Sequence, residues 1–438
     1  DLVRSRGLGD VYKRQTLGHR MDKNYYHATR RVDFAAPPLD QDIETEVAII
    51  GGGISGVSAA LHLAERGFRP VLLEAKQIGW GASGRNGGQV LPGFGAGQHK
   101  ITQLVGAQDA RRLWDMSVEA VDLLYARIAQ HNIPCDPRHG YLHAALKPRH
   151  VRELREEQEA LAKLGAPVGA LLEGAALRAR LASPRYIAAL EDKLAGHVHP
   201  LNYTLGLAKA AQAAGARIFA GSPVARIEEG NIVTLHVGAR RVRAKHLIIA
   251  GGAYLEGLEK RLRGYVMPVG TYVMATEPRA DVRALIPNDE AVADLNFVLD
   301  YYRRSADDRM LFGGRVSYSK RPPRNLGAAM LARAVKVFPQ LKDAKVEFAW
   351  GGFVDITRNR APHFGRLGRN ILFLEGFSGH GLALTGLAGK LAAEAVAGQA
   401  ERFDVFARIP HARFPGGEAL RTPALVLATS WFRLRDLL

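Results

Sequence analysis

The chain has 438 residues, 47% hydrophobic and 24% charged, a balance that can bury a sizeable core and suits two packed domains better than one. Its single cysteine, Cys135, excludes an intramolecular disulfide and a cysteine-based metal cluster, reads as a packed thiol, and points to a reducing compartment, with the cytoplasm expected. The formal charge of +17 raises nucleic acid, an anionic membrane surface or anionic ligands as partners, but the arginines fall singly or in pairs, as at Arg111-Arg112 and Arg240-Arg241, so solvated faces and no nucleic acid are expected.

Residues 1–20 are polar, basic and aperiodic, precede the first methionine, Met21, and are expected to be a non-native or disordered extension. No apolar run approaches the roughly 18 residues of a transmembrane helix. Val47-Ala48-Ile49-Ile50 then predicts a strand buried on both faces. Gly51-Gly52-Gly53-Ile54-Ser55-Gly56 follows, with apolar residues at helical spacing from Val57 to Arg66 and Gly67 placed to end that helix. Pro70-Val71-Leu72-Leu73-Glu74 closes a βαβ unit.

Residues 131–195 read as mostly helical and charged. His199–Ala214 predicts a helix, and Gly215-Ala216-Arg217-Ile218-Phe219 a strand. Val224–Ile227 and Ile232–Val237 predict an antiparallel excursion, and His246–Ala250 another buried strand ending in Gly251-Gly252. Aromatic strands and turns fill 263–349. Ile371–Leu374 leads through a glycine-rich turn into a helix from about Leu382 to Ala397.

Gly51, Gly53 and Gly56 match G-x-G-x-x-G: one glycine for the tight turn, one for backbone approach to a pyrophosphate, one for close helix packing. The helix start offers free N–H groups to phosphate, and Glu74, with Ala75 after it, ends the second strand where a carboxylate accepts from ribose hydroxyls. The loop Gly79-Trp80-Gly81-Ala82-Ser83-Gly84-Arg85-Asn86-Gly87-Gly88-Gln89 is so glycine-dense that its backbone is expected to crowd against a ligand, with Ser83 and Arg85 meeting phosphate. A second strand-to-helix turn, Glu375-Gly376-Phe377-Ser378-Gly379-His380-Gly381, is suited to the pyrimidine side of a flavin, where helix N–H groups stabilise developing negative charge. Two such turns in one chain favour FAD over NAD.

These residues resemble the D-amino-acid-oxidase-like superfamily of FAD-dependent oxidoreductases. The Gly81–Gln89 loop, the segment Arg402–His411 with Phe414-Pro415-Gly416-Gly417, and Trp431–Asp436 are similar to the branch containing gamma-glutamylputrescine oxidase. The resemblance covers roughly residues 25–438. It implies an α/β fold: a Rossmann-like FAD-binding domain of the glutathione-reductase kind with an inserted α+β substrate domain carrying a large mixed or antiparallel sheet. The expected division is 21–130, 196–262 and 350–405 for the discontinuous FAD domain, 131–195 and 263–349 for the substrate domain, and 406–438 for a tail packing on the body. Implied FAD contacts are Gly51, Gly53, Ile54, Ser55, Gly56, Glu74, Ala75, Ser83, Arg85, Asn86, Gly87, Gly88, Gln89, Val224, Ala250, Gly251, Gly376, Ser378, Gly379, His380, Gly381 and Leu382. With no cysteine beyond Cys135, the FAD is expected to be non-covalent.

Relatives that oxidise α-amino acids tend to carry W-x-G-x-R-P, whose arginine grips the substrate carboxylate. Here Trp350-Gly351-Gly352-Phe353-Val354-Asp355 puts valine in that place. The expected reaction is therefore oxidation of a small-molecule amine without α-carboxylate anchoring, to imine, aldehyde and ammonia, with oxygen as acceptor giving hydrogen peroxide. Electron transfer to a quinone or partner protein is the alternative, with Leu420–Leu438 as a possible membrane-lying stretch, and a tRNA-associated flavoprotein a remote one. Three catalytic candidates stand out. His380 serves either electrostatics and proton transfer or only its own turn; Gln89 reaches the ring or pins its loop; Tyr265, like Tyr301 and Tyr302, is a cage wall or a core aromatic. No metal is expected, and the oligomeric state is left open.

Overall fold

The computed structural model describes residues 24–255, 257–317 and 325–415. The expected extension at 1–20 and the tail segment with Trp431 lie outside these residues, as does the stretch 420–438.

Two sheets organise the chain. The first has eight strands. Its main path runs His363–Leu367, Ile371–Glu375, Arg240–Ile249, Ile43–Ile50, Val71–Leu73, Arg217–Phe219. The last five of these are mutually parallel. Their paired segments Val47–Ile50, Val71–Leu73, Leu247–Ile249 and Ile371–Leu374 are apolar because both faces are covered there, one by helices and the other by a cluster that includes Val233, Leu235 and Val237. Arg226–Glu228 and Val233–Val237 pair antiparallel beside Arg240–Ile249, the excursion expected from the sequence.

The helix Ile54–Glu65 follows the first strand, and Gly67 ends it at φ 85° with its N–H donating to the Ala64 carbonyl. The helix Gly381–Val396 lies against it. A Cβ on Gly389 would sit 2.4 Å from the Ser55 carbonyl oxygen, and Ser58 Oγ donates to the Gly386 carbonyl at 2.6 Å. The small residues thus let two backbones touch, so the starts of both helices are held in fixed relation.

The second sheet has nine strands: Val346–Thr357, Val266–Thr276, Met310–Ser317, Tyr301–Arg304, Ala291–Asp294, Arg138–Ala145, Ala188–His197 and Gln89–Val90 in order, with Val168–Glu173 beside Ala188–His197. All its pairings are antiparallel except that of Ala291–Asp294 with Arg138–Ala145. It therefore carries three strands in 131–195, a segment expected from the sequence to be mostly helical; the helices there are Pro148–Lys163 and Gly174–Arg180. Alanine-rich runs such as Tyr141-Leu142-His143-Ala144-Ala145 have helical propensity, and cross-strand pairing overrides it.

Strands cross the expected domain division at three points. Val346–Thr357 spans the boundary at 350, Ala188–His197 spans that between 195 and 196, and Gln89–Val90 joins the second sheet although it lies within the segment 21–130. Face alternation sorts this sheet. Leu142, Tyr272, Met274, Tyr302 and Phe312 form a core with Met330 and Phe338. The opposite face carries the paired row Trp350, Val273, Gly313, Tyr301, Ala293 and His143, and it turns toward the first sheet.

Candidate FAD and substrate site

A line of half-exposed residues runs through this otherwise buried centre: Gly51 and Gly53, Ser83, Asn86, Gly87 and Gln89, Ala250–Leu255, Gly351–Ile356, His380 and Gly381. It joins the strand ends of the first sheet to the inner face of the second. In open α/β sheets ligands bind outside the carboxyl ends of the strands.

At one end stands the glycine turn. A Cβ on Gly56 would lie 1.9 Å from the Gly51 carbonyl oxygen, and one on Gly51, whose φ is 111°, 2.5 Å from that of Ala250. No side chain is tolerated at either position. Glu74 closes the turn: one carboxylate oxygen accepts from the Gly52 N–H and the other from the Lys76 N–H, both at 2.7 Å. Burial raises its pKa, and the N–H groups of Gly52, Lys76 and Ala75 work against that rise. Ser83 Oγ accepts from the Ile54 N–H at 3.0 Å, so the glycine-dense loop caps the very helix whose start would meet phosphate. Ser55 is buried in that first turn. Val224 lies beyond Ser222, whose N–H donates to the Glu74 carbonyl.

The rest of the loop is shaped from within. Asn86 donates to the Ala82 and Ser83 carbonyls and accepts from the Gly88 N–H. Arg85, expected to meet phosphate, donates from Nε to the Trp80 carbonyl at 2.6 Å, with its guanidinium 4.8 Å from the Trp80 ring. Its stem lies against Gly352. From outside, buried Arg303 grips the loop: Nε donates to the Gly87 carbonyl at 2.7 Å, while Nη2 donates to the Val198 carbonyl and the Tyr26 hydroxyl. Sequence reasoning did not single out this arginine.

The second turn lies at the other end. Gly376 has φ 80°, and its N–H donates to the Asp355 carboxylate at 2.6 Å. Ser378, itself at φ 53°, ties the turn to the long edge strand: its Oγ accepts from the Thr357 N–H at 3.2 Å. Gly379 is left-handed at φ 92°. His380 caps the helix Gly381–Val396, with Leu382 buried behind it. Burial, then the charges of Arg360 and His143, push the His380 pKa down to about 4. Its Nδ1 is buried without a hydrogen-bond partner among the described residues.

The candidate side chains separate. Gln89 uses both ends of its amide: Nε2 donates to the Val292 carbonyl at 3.1 Å, and Oε1 faces the Tyr141 hydroxyl at 3.4 Å. Tyr301 presses its ring on Gly87 and Gly313, where a Cβ would approach within 2.6 and 2.0 Å. Tyr302 is core, stacked on Phe312. Tyr265 precedes its strand and packs on His363 and beneath Arg413; none of these contacts is with Gln89, Tyr301 or His380. Two inner-face residues escaped the sequence reading: Tyr141, and His143 whose ring lies 4.8 Å from it. Burial opposes charge on His143, but Asp192 at 3.6 Å, with Glu157, outweighs it and raises the pKa. The only signal was two ring residues spaced by two in a short strand.

Cys135 is fully buried, and burial pushes its thiol up to about 12, far from nucleophile behaviour. Among the described residues no cluster of three or more potential metal ligands occurs, and no helix is long and apolar enough to cross a membrane.

A glycine cradle barred to any side chain, an acid at the second strand end and two helix starts on one seam fit a long dinucleotide. Residues 46–395 match the family described as FAD dependent oxidoreductase. The chain belongs to that family. It is an FAD-dependent oxidoreductase, and it is 41% identical to gamma-glutamylputrescine oxidoreductase of Escherichia coli K12, over 94% of this chain and 98% of that protein. It is 39% identical to a probable oxidoreductase, OrdL, of Haemophilus influenzae, over 94% and 97%. Among solved structures, glycine oxidase from Geobacillus kaustophilus superposes with a TM-score of 0.70 at 23% identity, covering 82% of this chain and 95% of that one, a likeness of fold.

Proposed function

We propose that this flavoprotein oxidises a small-molecule amine whose charged group is remote from the reacting carbon, of the gamma-glutamylputrescine kind, with oxygen as electron acceptor. The products are an imine that hydrolyses to aldehyde and ammonia, together with hydrogen peroxide. The observation that carries the reading is Val354. It shares the inner sheet face with Trp350 and Gly352, half-exposed on the seam, where a carboxylate-gripping arginine would be needed for an α-amino acid. The similarity to a gamma-glutamylputrescine oxidoreductase supports the same substrate class.

FAD, when bound, supplies the hydride acceptor. The chain's own contribution is holding and aim. The Gly51–Gly56 turn and the helix start behind it suit the phosphates, Glu74 the ribose, and the Gly376–Leu382 turn the flavin end. A substrate amine must be neutral to release hydride, and an alkylammonium group has a pKa of roughly 10. His380, with its pKa near 4, is too weak a base to take that proton; being neutral, it also adds no charge beside the ammonium. Desolvation among Tyr141, Tyr301 and Gln89 is therefore the means of deprotonation, since burial disfavours the cation.

The test is a peroxide-coupled screen of the yellow protein with gamma-glutamylputrescine, putrescine, N-methyl amino acids and D-amino acids. Turnover of gamma-glutamylputrescine with peroxide is expected. Robust oxidation of glycine or D-alanine would overturn the argument from Val354. Anaerobic reduction that air fails to reverse would point to the dehydrogenase alternative.

A further inference from the structure

We propose that Arg360, on the turn between the strands Val346–Thr357 and His363–Leu367, holds a carboxylate at the far end of the amine substrate and so sets specificity. This rests on the amine reading above and deepens it. The edge strand lacks an arginine at Val354, yet six residues later the chain carries one on a turn tied to the His380 segment.

Three observations place it. Arg360 adopts φ 61°, a left-handed conformation in which a glycine would be relaxed and an arginine is strained. The turn keeps a long cationic side chain where backbone geometry alone favours none. The turn is also rigid. Thr357 Oγ1 donates to the Ala361 carbonyl at 2.7 Å, the Ala361 N–H donates to Asn359 Oδ1 at 3.1 Å, and Asn359 Nδ2 donates to the Pro410 carbonyl at 2.8 Å. Thr357 is in turn bound to Ser378, two residues before His380, and the Arg360 and Ser378 carbonyls both crowd Gly95. Arg360 is thereby locked to the segment assigned to the flavin end. Finally, its guanidinium lies 5.9 Å from the Phe297 ring centroid, on the turn beside the inner-face strands, and its charge is felt at His380.

A planar cation held against an aromatic face can donate two N–H bonds to the oxygens of one carboxylate. An anchor on the turn, instead of on the strand, leaves room for a chain of several bonds between the reacting carbon and the anion. The substrate class is an acylated diamine whose acyl part carries a carboxylate.

The test compares gamma-glutamylputrescine with the amide in which 4-aminobutanoate replaces glutamate, so that only the carboxylate is lost. The wild-type enzyme is expected to favour the first through KM. In Arg360→Gln, KM for gamma-glutamylputrescine should rise about 30-fold while that for the decarboxylated amide stays put, as for a lost charge-assisted pair. kcat should change little for either. Arg360→Gly, which relieves the backbone conformation, should fold, stay yellow and show the same loss. A second readout is binding: the flavin spectral shift on anaerobic titration with the alcohol analogue of gamma-glutamylputrescine should weaken in parallel. A wild-type preference that survives both substitutions overturns the role of Arg360 and leaves the amine reading intact. Equal KM for the two amides in the wild type also overturns it. A yellow wild-type protein that oxidises neither amide removes the amine reading and this proposal together.

Discussion

Arg303→Met tests how the glycine-dense loop is held. The guanidinium donates to the Gly87, Val198 and Arg304 carbonyls and the Tyr26 hydroxyl from a site 4% exposed. Methionine keeps much of the stem's packing and removes every donor. Each buried acceptor left without a partner costs about 1–3 kcal/mol. Removing the cation also removes its own desolvation penalty, so a net loss of about 3 kcal/mol is expected in place of the full sum. Part of that loss falls on the loop: Gly87 is freed at the point where Tyr301 presses against it, and FAD affinity should fall about tenfold, equivalent to roughly 1.4 kcal/mol. Urea denaturation of the apoprotein and FAD titration by fluorescence quenching measure the two effects separately. Arg303→Lys, with one head for several acceptors, should fall between. A methionine variant with the wild-type urea midpoint and FAD affinity would refute the reasoning, since Asn86 and the loop's own turns would then suffice.

Gly56→Ala should abolish tight FAD binding and cost about 2–3 kcal/mol, because the new Cβ would meet the Gly51 carbonyl oxygen at 1.9 Å and backbone cannot step aside cheaply; normal flavin content in the purified variant would contradict this. Glu74→Gln replaces one of two acceptor oxygens with a donor facing a backbone N–H, and should weaken FAD about tenfold in the same fluorescence titration. Glu375 and His363, in contact at 2.9 Å, are held neutral by burial, which lifts the acid to about 8 and lowers the imidazole to about 4. Between the ordinary glutamate and histidine pKa values both states hold one proton on this pair, the folded chain on Glu375 and the unfolded chain on His363, so the two shifts cancel there. Above the ordinary histidine pKa the folded state keeps a proton that the unfolded chain has lost, and stability declines until the pH passes about 8. Glu375→Gln should flatten that alkaline decline, by about 2 kcal/mol; parallel stability–pH curves for variant and wild type above neutral pH would rule it out.

The βαβ unit, the Gly51–Gly56 turn, Glu74 and the Gly376–Gly381 turn were legible because each is a local pattern: an apolar run, a glycine where backbone must approach, an acid at a strand end. Chain order alone then implied FAD, and the absence of arginine at position 354 could be read without any coordinates. The inner face of the nine-stranded sheet was not legible. Its strands in 131–195 depend on partners far away in the chain, so propensity suggested helix, and Tyr141 and His143 acquired a common face only through pairing. The same reason separates Tyr301 from Tyr302, adjacent residues sent to opposite faces, and removes Tyr265 from the seam. Arg303 and Arg360 were two among many arginines in the sequence; burial among three carbonyls and a strained turn beside His380 are long-range facts that no local pattern encodes.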